Sequence, residues 1–202
     1  MDLKHIAEEL RNHAPFTALG SLTGIILMAA VILTGISTTT SDEIFHVLHP
    51  VHILLSALVT TAMYRLYRGR IAAAVVIGFV GSVGICTISD IVFPYIGGAL
   101  LGAPMSFHLC FLEHPWLVIP SAFMGIGIGL ALPRTKVPHA GHILVSTYAS
   151  LFYFTAFGGS TNYWLPLLPL IFLILFVAVW IPCCVSDIVF PLLFVKKGTK
   201  KR

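Results

Sequence analysis

Charged side chains are what this chain of 202 residues has least of. Twelve Lys and Arg and eight Asp and Glu make up 10% of it, while 57% is hydrophobic. Soluble domains carry roughly a quarter charged residues, and the mean hydropathy of +0.96 lies far from that regime. The scarcity excludes a soluble enzyme, a nucleic-acid binder and a disordered tail, although the isoelectric point is near 9.0. Cysteines are also few. None of the four forms a C-x-x-C pair; Cys86, Cys183 and Cys184 lie in apolar stretches and Cys110 stands alone, so no disulfide framework is expected. No cleavable signal is expected either, because the leader MDLKHIAEELRN is polar and the first apolar stretch lacks a cleavage site.

What the chain does have is long apolar runs, at 15–36, 45–64, 71–97, 115–132, 139–157 and 165–194. A membrane-spanning helix needs roughly 20 such residues, so six spans are expected; the third and sixth are long enough to tilt or to break at Pro94 and Pro191. With the N-terminus inside, all twelve basic residues fall on the cytoplasmic side: Lys4 and Arg11; Arg65, Arg68 and Arg70; Arg134 and Lys136; and five in the tail from Lys196 to Arg202. The three outer connections then hold none, which is the asymmetry that orients membrane proteins. The expected class is therefore an all-α integral membrane protein with both termini cytoplasmic. Residues 1–12 are expected to form an amphipathic cytoplasmic leader and 195–202 a basic tail that is the last positive-inside anchor, with binding to anionic lipid the alternative use of the same charge.

The spans repeat themselves. Cys86-Thr-Ile-Ser-Asp90-Ile-Val-Phe-Pro94 and Cys183-Cys-Val-Ser-Asp187-Ile-Val-Phe-Pro191 agree at seven of nine positions. His49-Pro-Val-His52-Ile-Leu-Leu-Ser56 and His139-Ala-Gly-His142-Ile-Leu-Val-Ser146 agree at five of eight. A fainter pair opens the first and fourth spans at His13 and His114, and the three pairs keep their order with offsets of 101, 90 and 97 residues. The halves are 13–97 and 114–194, joined by an outer connection at 98–113. Three spans is an odd number, so the copies must be inverted relative to one another, the architecture of many secondary transporters.

Topology assigns depth. Measured from the ends of the apolar runs, His49, His52, Asp90 and His114 fall near the outer face, and His13, His139, His142 and Asp187 near the inner one. Two metal sites are expected from these eight residues. Histidines at i and i+3 share a helix face, and imidazole with carboxylate is an ordinary zinc ligand set. Iron, cobalt, nickel and manganese would also fit, with Zn²⁺ the leading candidate among divalent transition metals. Asp90 and Asp187 are the only carboxylates inside the apolar runs, and a carboxylate in hydrocarbon must be protonated, solvated or matched to a cation. Cys86 and Cys183, four residues before them, are ligands or neighbours of ligands. The outer connection adds His108 and Glu113, and His46 precedes His49 by one turn. Gly125-Ile-Gly-Ile-Gly129 lies within a span, so close helix packing is expected of it rather than phosphate binding.

Three functions remain open. The first is a divalent-metal transporter or channel of the cell membrane. The second is an intramembrane zinc-dependent hydrolase acting on a lipid or peptide; in its use of His, Asp and Ser the chain resembles the alkaline ceramidase group, whose seven-span pattern and histidine spacings it lacks. The third is a membrane redox protein, with non-haem metal or with haem held by His52 and His114. The expected partners are a metal ion and the bilayer, with homo-oligomerisation open and nucleic acid excluded.

Overall fold

The computed structural model describes residues 3–67, 70–132, 136–159 and 161–195; within these, the side chains of 3–10, 12–13, 136–140, 161–162, 184 and 187–188 lie outside the description. The ordered elements among the described residues are all helical, and no strand occurs among them. They are α1 (Leu3–Thr34), α2 (Thr38–Leu66), α3 (Ile71–Thr87), α4 (Phe93–Leu100), α5 (Cys110–Glu113), α6 (Pro115–Ala131), α7 (Lys136–Phe157), α8 (Leu168–Cys184) and α9 (Phe190–Leu193). A 3₁₀ helix, Thr161–Leu167, leads into α8.

Among the described residues, four stretches are long and apolar enough to cross a membrane: Ala14–Thr34, Thr38–Leu66, Ile71–Leu100 and Tyr163–Cys183. Pro115–Ala131 is apolar but shorter. The distribution of side chains agrees with this. Leu33 is 75% exposed, Ile26 63% and Val76 62%, whereas His49, His52, Ser56, Asp90, His142, Ser146 and Ser186 are buried. Large apolar side chains exposed around a bundle that also buries a polar cluster suit solvation by lipid.

The turn between the first two helices sets the depth of everything that follows. Gly35 takes φ +68°, a left-handed conformation that glycine adopts without a Cβ clash. The Gly35 N–H then donates to the Ile32 carbonyl and the Ile36 N–H to that of Val31, closing α1. Two residues on, Ser37 caps α2 by accepting the Thr40 N–H at 3.1 Å. Thus α2 starts at Thr38, seven residues before its apolar run, because the polar segment Thr38–Asp42 is helical. At its other end, α1 is continuous from Leu3 through Pro15, so the polar leader and the first span share one helix.

The centre of the bundle is α2, which packs against α3, α6 and α7, while α1 lies along α7 and α8. The glycines of α6 allow that approach: a Cβ at Gly125 or Gly129 would run into the α2 carbonyls of Leu54 and Leu58. Both copies of the Ser-Asp motif fold as π-helical turns, Ile88–Val92 between α3 and α4 and Val185–Val189 between α8 and α9. Each stands just before a proline. Pro94 has no N–H, and its ring would crowd the carbonyl four residues back in a regular helix. In the π turn the Phe93 N–H reaches instead to the Ile88 carbonyl. The helix is widened at Pro94 and does not break there. The turns face helices of the other half: α7 packs on the first, α2 on the second.

Candidate metal centre

The Asp90 carboxylate is fully buried and is held by four side chains. Its Oδ2 faces His49 Nδ1 at 2.9 Å and His52 Nδ1 at 2.7 Å. Its Oδ1 accepts from the Ser89 hydroxyl at 2.7 Å and the Ser146 hydroxyl at 3.0 Å. A carboxylate only accepts, at about four lone-pair positions, so this set saturates it. Both histidines must then carry their proton on Nδ1, which turns the Nε2 lone pairs away from Asp90. Asp90, expected as a ligand, has its oxygens occupied by these four side chains, the position from which a carboxylate can orient an imidazole toward a metal.

His52 meets a histidine and a cysteine from the second half of the sequence. One ligand atom each of His52, His142 and Cys183 lies within 4.8 Å of the others, and all three side chains are buried. The His52 and His142 rings are 4.5 Å apart between centroids, and Cys86 Sγ is 3.6 Å from His52 Nε2. The Nε2 of His49 is buried without a hydrogen-bond partner, and its ring stacks on Phe45 at 5.3 Å. Two imidazoles and a thiol are zinc, iron or cobalt ligands by chemistry.

This arrangement departs from the expected depths. Sequence reasoning put His52 near one face and His142 near the other, because depth was counted from residue 45. Counted from Thr38, His52 is fourteen residues along a helix of 29, about 21 Å from its start at 1.5 Å per residue. It lies midway along α2, where its ring meets that of His142. Around them the hydrogen bonds follow the sequence repeat. Ser150 Oγ donates to the Ser89 carbonyl at 3.1 Å, and Thr60 Oγ1 to the Ser186 carbonyl at 3.2 Å. Those pairs are related by the same offsets, 90 and 97 residues, as the motifs. Ser56 and Ser186 hydroxyls are also paired, at 2.9 Å.

His114 does not join this centre. It sits at the N-terminus of α6 with its ring 4.4 Å from that of His46 and 5.5 Å from that of His108. These three histidines form a second cluster, with ligand atoms within 4.8 Å of one another. His46 Nδ1 donates to the Asp42 carbonyl at 2.9 Å and lies 3.2 Å from its carboxylate. His108 Nδ1 is 2.9 Å from Glu113 Oε2. Burial pushes the His108 imidazole below its ordinary pKa, against the Glu113 carboxylate, which raises it. The Leu109 N–H, donated to Oε1 at 3.0 Å, helps hold Glu113 below the usual carboxylate range. The side chains of His13, His139 and Asp187 lie outside the described residues.

No protein-family model matches this chain, and no curated protein or solved structure matches it either.

Proposed function

We propose that this chain is a multi-pass protein of the cell membrane that transports a divalent transition metal, with Zn²⁺ the leading candidate, through a binding site at mid-depth. The observation that carries the reading is the meeting of His52 with His142 and Cys183, ligands from different halves of the sequence, inside the bundle. Transporters built from inverted repeats bind at the midplane between repeats, on helices whose regular winding is interrupted. The two π turns beside the site and the offset-related pairs Ser150–Ser89 and Thr60–Ser186 favour this architecture. On it rests the further reading of six spans in two inverted repeats, with both termini cytoplasmic.

The chemistry follows from the side chains. A metal entering the site would exchange water for imidazole nitrogen and sulfur. The Cys183 thiol must release its proton as the metal–sulfur bond forms, so binding liberates H⁺. Asp90 keeps His49 and His52 on the Nδ1–H tautomer and the lone pairs ready. Ser56, Thr60 and Ser186 form a buried cluster of paired hydroxyls between α2 and the second π turn. The haem pairing of His52 with His114 finds no support, since His114 stands against His46, His108 and Trp116.

The test is flux. Purified protein in vesicles loaded with a metal-sensitive dye should admit Zn²⁺, and His52→Ala should abolish the flux. Protein that binds metal tightly yet gives no flux would overturn transport in favour of a catalytic or structural metal.

A further inference from the structure

His46 and His108 meet in a way that two neutral imidazoles do not. Their Nε2 atoms are 3.1 Å apart. The Asp42 carbonyl can only accept, so His46 Nδ1 bears a proton. The Glu113 carboxylate likewise accepts from His108 Nδ1. Each ring has therefore committed its one neutral-state proton to Nδ1, and two Nε2 lone pairs face one another. A cation between or beside them removes that repulsion, and His114 brings a third imidazole to the same point.

We propose that His46, His108 and His114 form a second metal site, separate from the buried one, which takes a divalent transition metal of the zinc class and leaves its fourth position to water. Three histidines with an open position are a common zinc arrangement. Carboxylates or carbonyls behind the ligating imidazoles are its usual support, here Asp42 behind His46 and Glu113 behind His108. The site lies at the solvent end of the bundle. His46 is eight residues from the start of α2, and the side chains of Asp42 and Glu113 are 41% and 52% exposed. No ligand is shared with the buried centre. Phe45, fully buried, stands between them, stacked on His49 and edge-on to His46 and His108.

Cobalt substitution separates the two sites, because only the buried one contains sulfur. Co²⁺ titrated into the detergent-purified full chain should fill two classes. One carries a thiolate-to-cobalt charge-transfer band in the near ultraviolet; the other gives only visible d–d bands. The double variant His46→Ala, His114→Ala should lose the sulfur-free class and keep the charge-transfer band, which also reports that the bundle is folded. Should the double variant lose both, Glu113→Gln decides, since it retains every imidazole; a sulfur-free class weakened by about 10–100-fold supports the site, and an unchanged one overturns it. A wild-type chain with only the charge-transfer class, or a double variant that titrates like wild type, also overturns it. The opposite pattern, a sulfur-free class lost in the double variant with no charge-transfer band in wild type, upholds this site and removes the buried one.

Discussion

Ser146 donates its hydroxyl proton to Asp90 Oδ1 across 3.0 Å, a bond between α7 and the π turn that follows α3. It ties the second half of the chain to the carboxylate that orients the histidines of the first. Ser146→Ala should remove one hydrogen bond to a charged acceptor, worth about 1.5–3 kcal/mol. A thermal melt in detergent should show the loss, with the metal stoichiometry retained. An unchanged melting temperature would mean that the bond contributes nothing.

Asp90→Asn tests the orienting role. The amide has the carboxylate's shape but carries two donors, so it cannot accept from all four of its neighbours at once. At least one histidine or serine loses its partner, and the tautomer of His49 or His52 is no longer fixed. Metal affinity at the buried site should fall by about 10–100-fold, the usual effect of removing a carboxylate behind a ligating histidine. An affinity equal to wild type in a competition assay with a chromophoric chelator would contradict the role.

The two membrane cysteines flanking His52 and His142 should behave differently. Cys183 belongs to the ligand set within 4.8 Å, whereas Cys86 is outside that set, with its Sγ 3.6 Å from His52 Nε2. In the cobalt form, Cys183→Ser should abolish the charge-transfer band and Cys86→Ser should retain it. Equal loss in both variants would make Cys86 a ligand as well.

Cys110 lies outside the spans, and burial pushes its thiol up to about 12 from 9.0. The thiol is therefore protonated at neutral pH, and maleimide at pH 7.5 should leave it unlabelled until the chain is denatured. The folded protein holds this proton more tightly than the unfolded chain does. Its contribution to stability is thus complete below about pH 9 and declines as pH rises toward 12. Rapid labelling of the native protein at neutral pH would contradict the burial.

Much of the architecture was legible in residue patterns, for identifiable reasons. The six apolar runs fall almost entirely on helical segments, four of which, among the described residues, are long and apolar enough to cross a membrane. Gly125 and Gly129 serve the close packing their spacing implied. The duplicated Ser-Asp-Ile-Val motif marks two elements of the same unusual geometry. The start of α2 was not legible from hydropathy, because Thr38–Asp42 is polar and its helicity comes from the Gly35 turn and the Ser37 cap. That difference of seven residues, roughly 10 Å along a helix, put His49 and His52 in the first turns of α2, whereas His52 lies midway along it. It separated His52 from His142 and grouped His49 and His52 with His114. A reading of Gly35-Ile-Ser37 as a helix stop followed by an N-cap would have corrected it. The role of Asp90 was hidden for another reason. Ser146 lies 56 residues away, and only tertiary contact shows that the carboxylate's acceptor positions are filled by neighbours. Likewise, His108 comes from the connection after α4, where no periodicity fixes its direction toward His46.

The central claim is that a divalent metal sits at mid-depth between His52, His142 and Cys183, and X-ray absorption at the zinc edge addresses it most directly. The measurement is best made on the zinc-loaded His46→Ala, His114→Ala protein, which leaves the buried centre alone. The expected spectrum contains one sulfur scatterer at about 2.3 Å together with imidazole nitrogens at about 2.0–2.1 Å, and the sulfur shell disappears in Cys183→Ser. A first shell of nitrogen and oxygen alone in the parent protein would contradict the account.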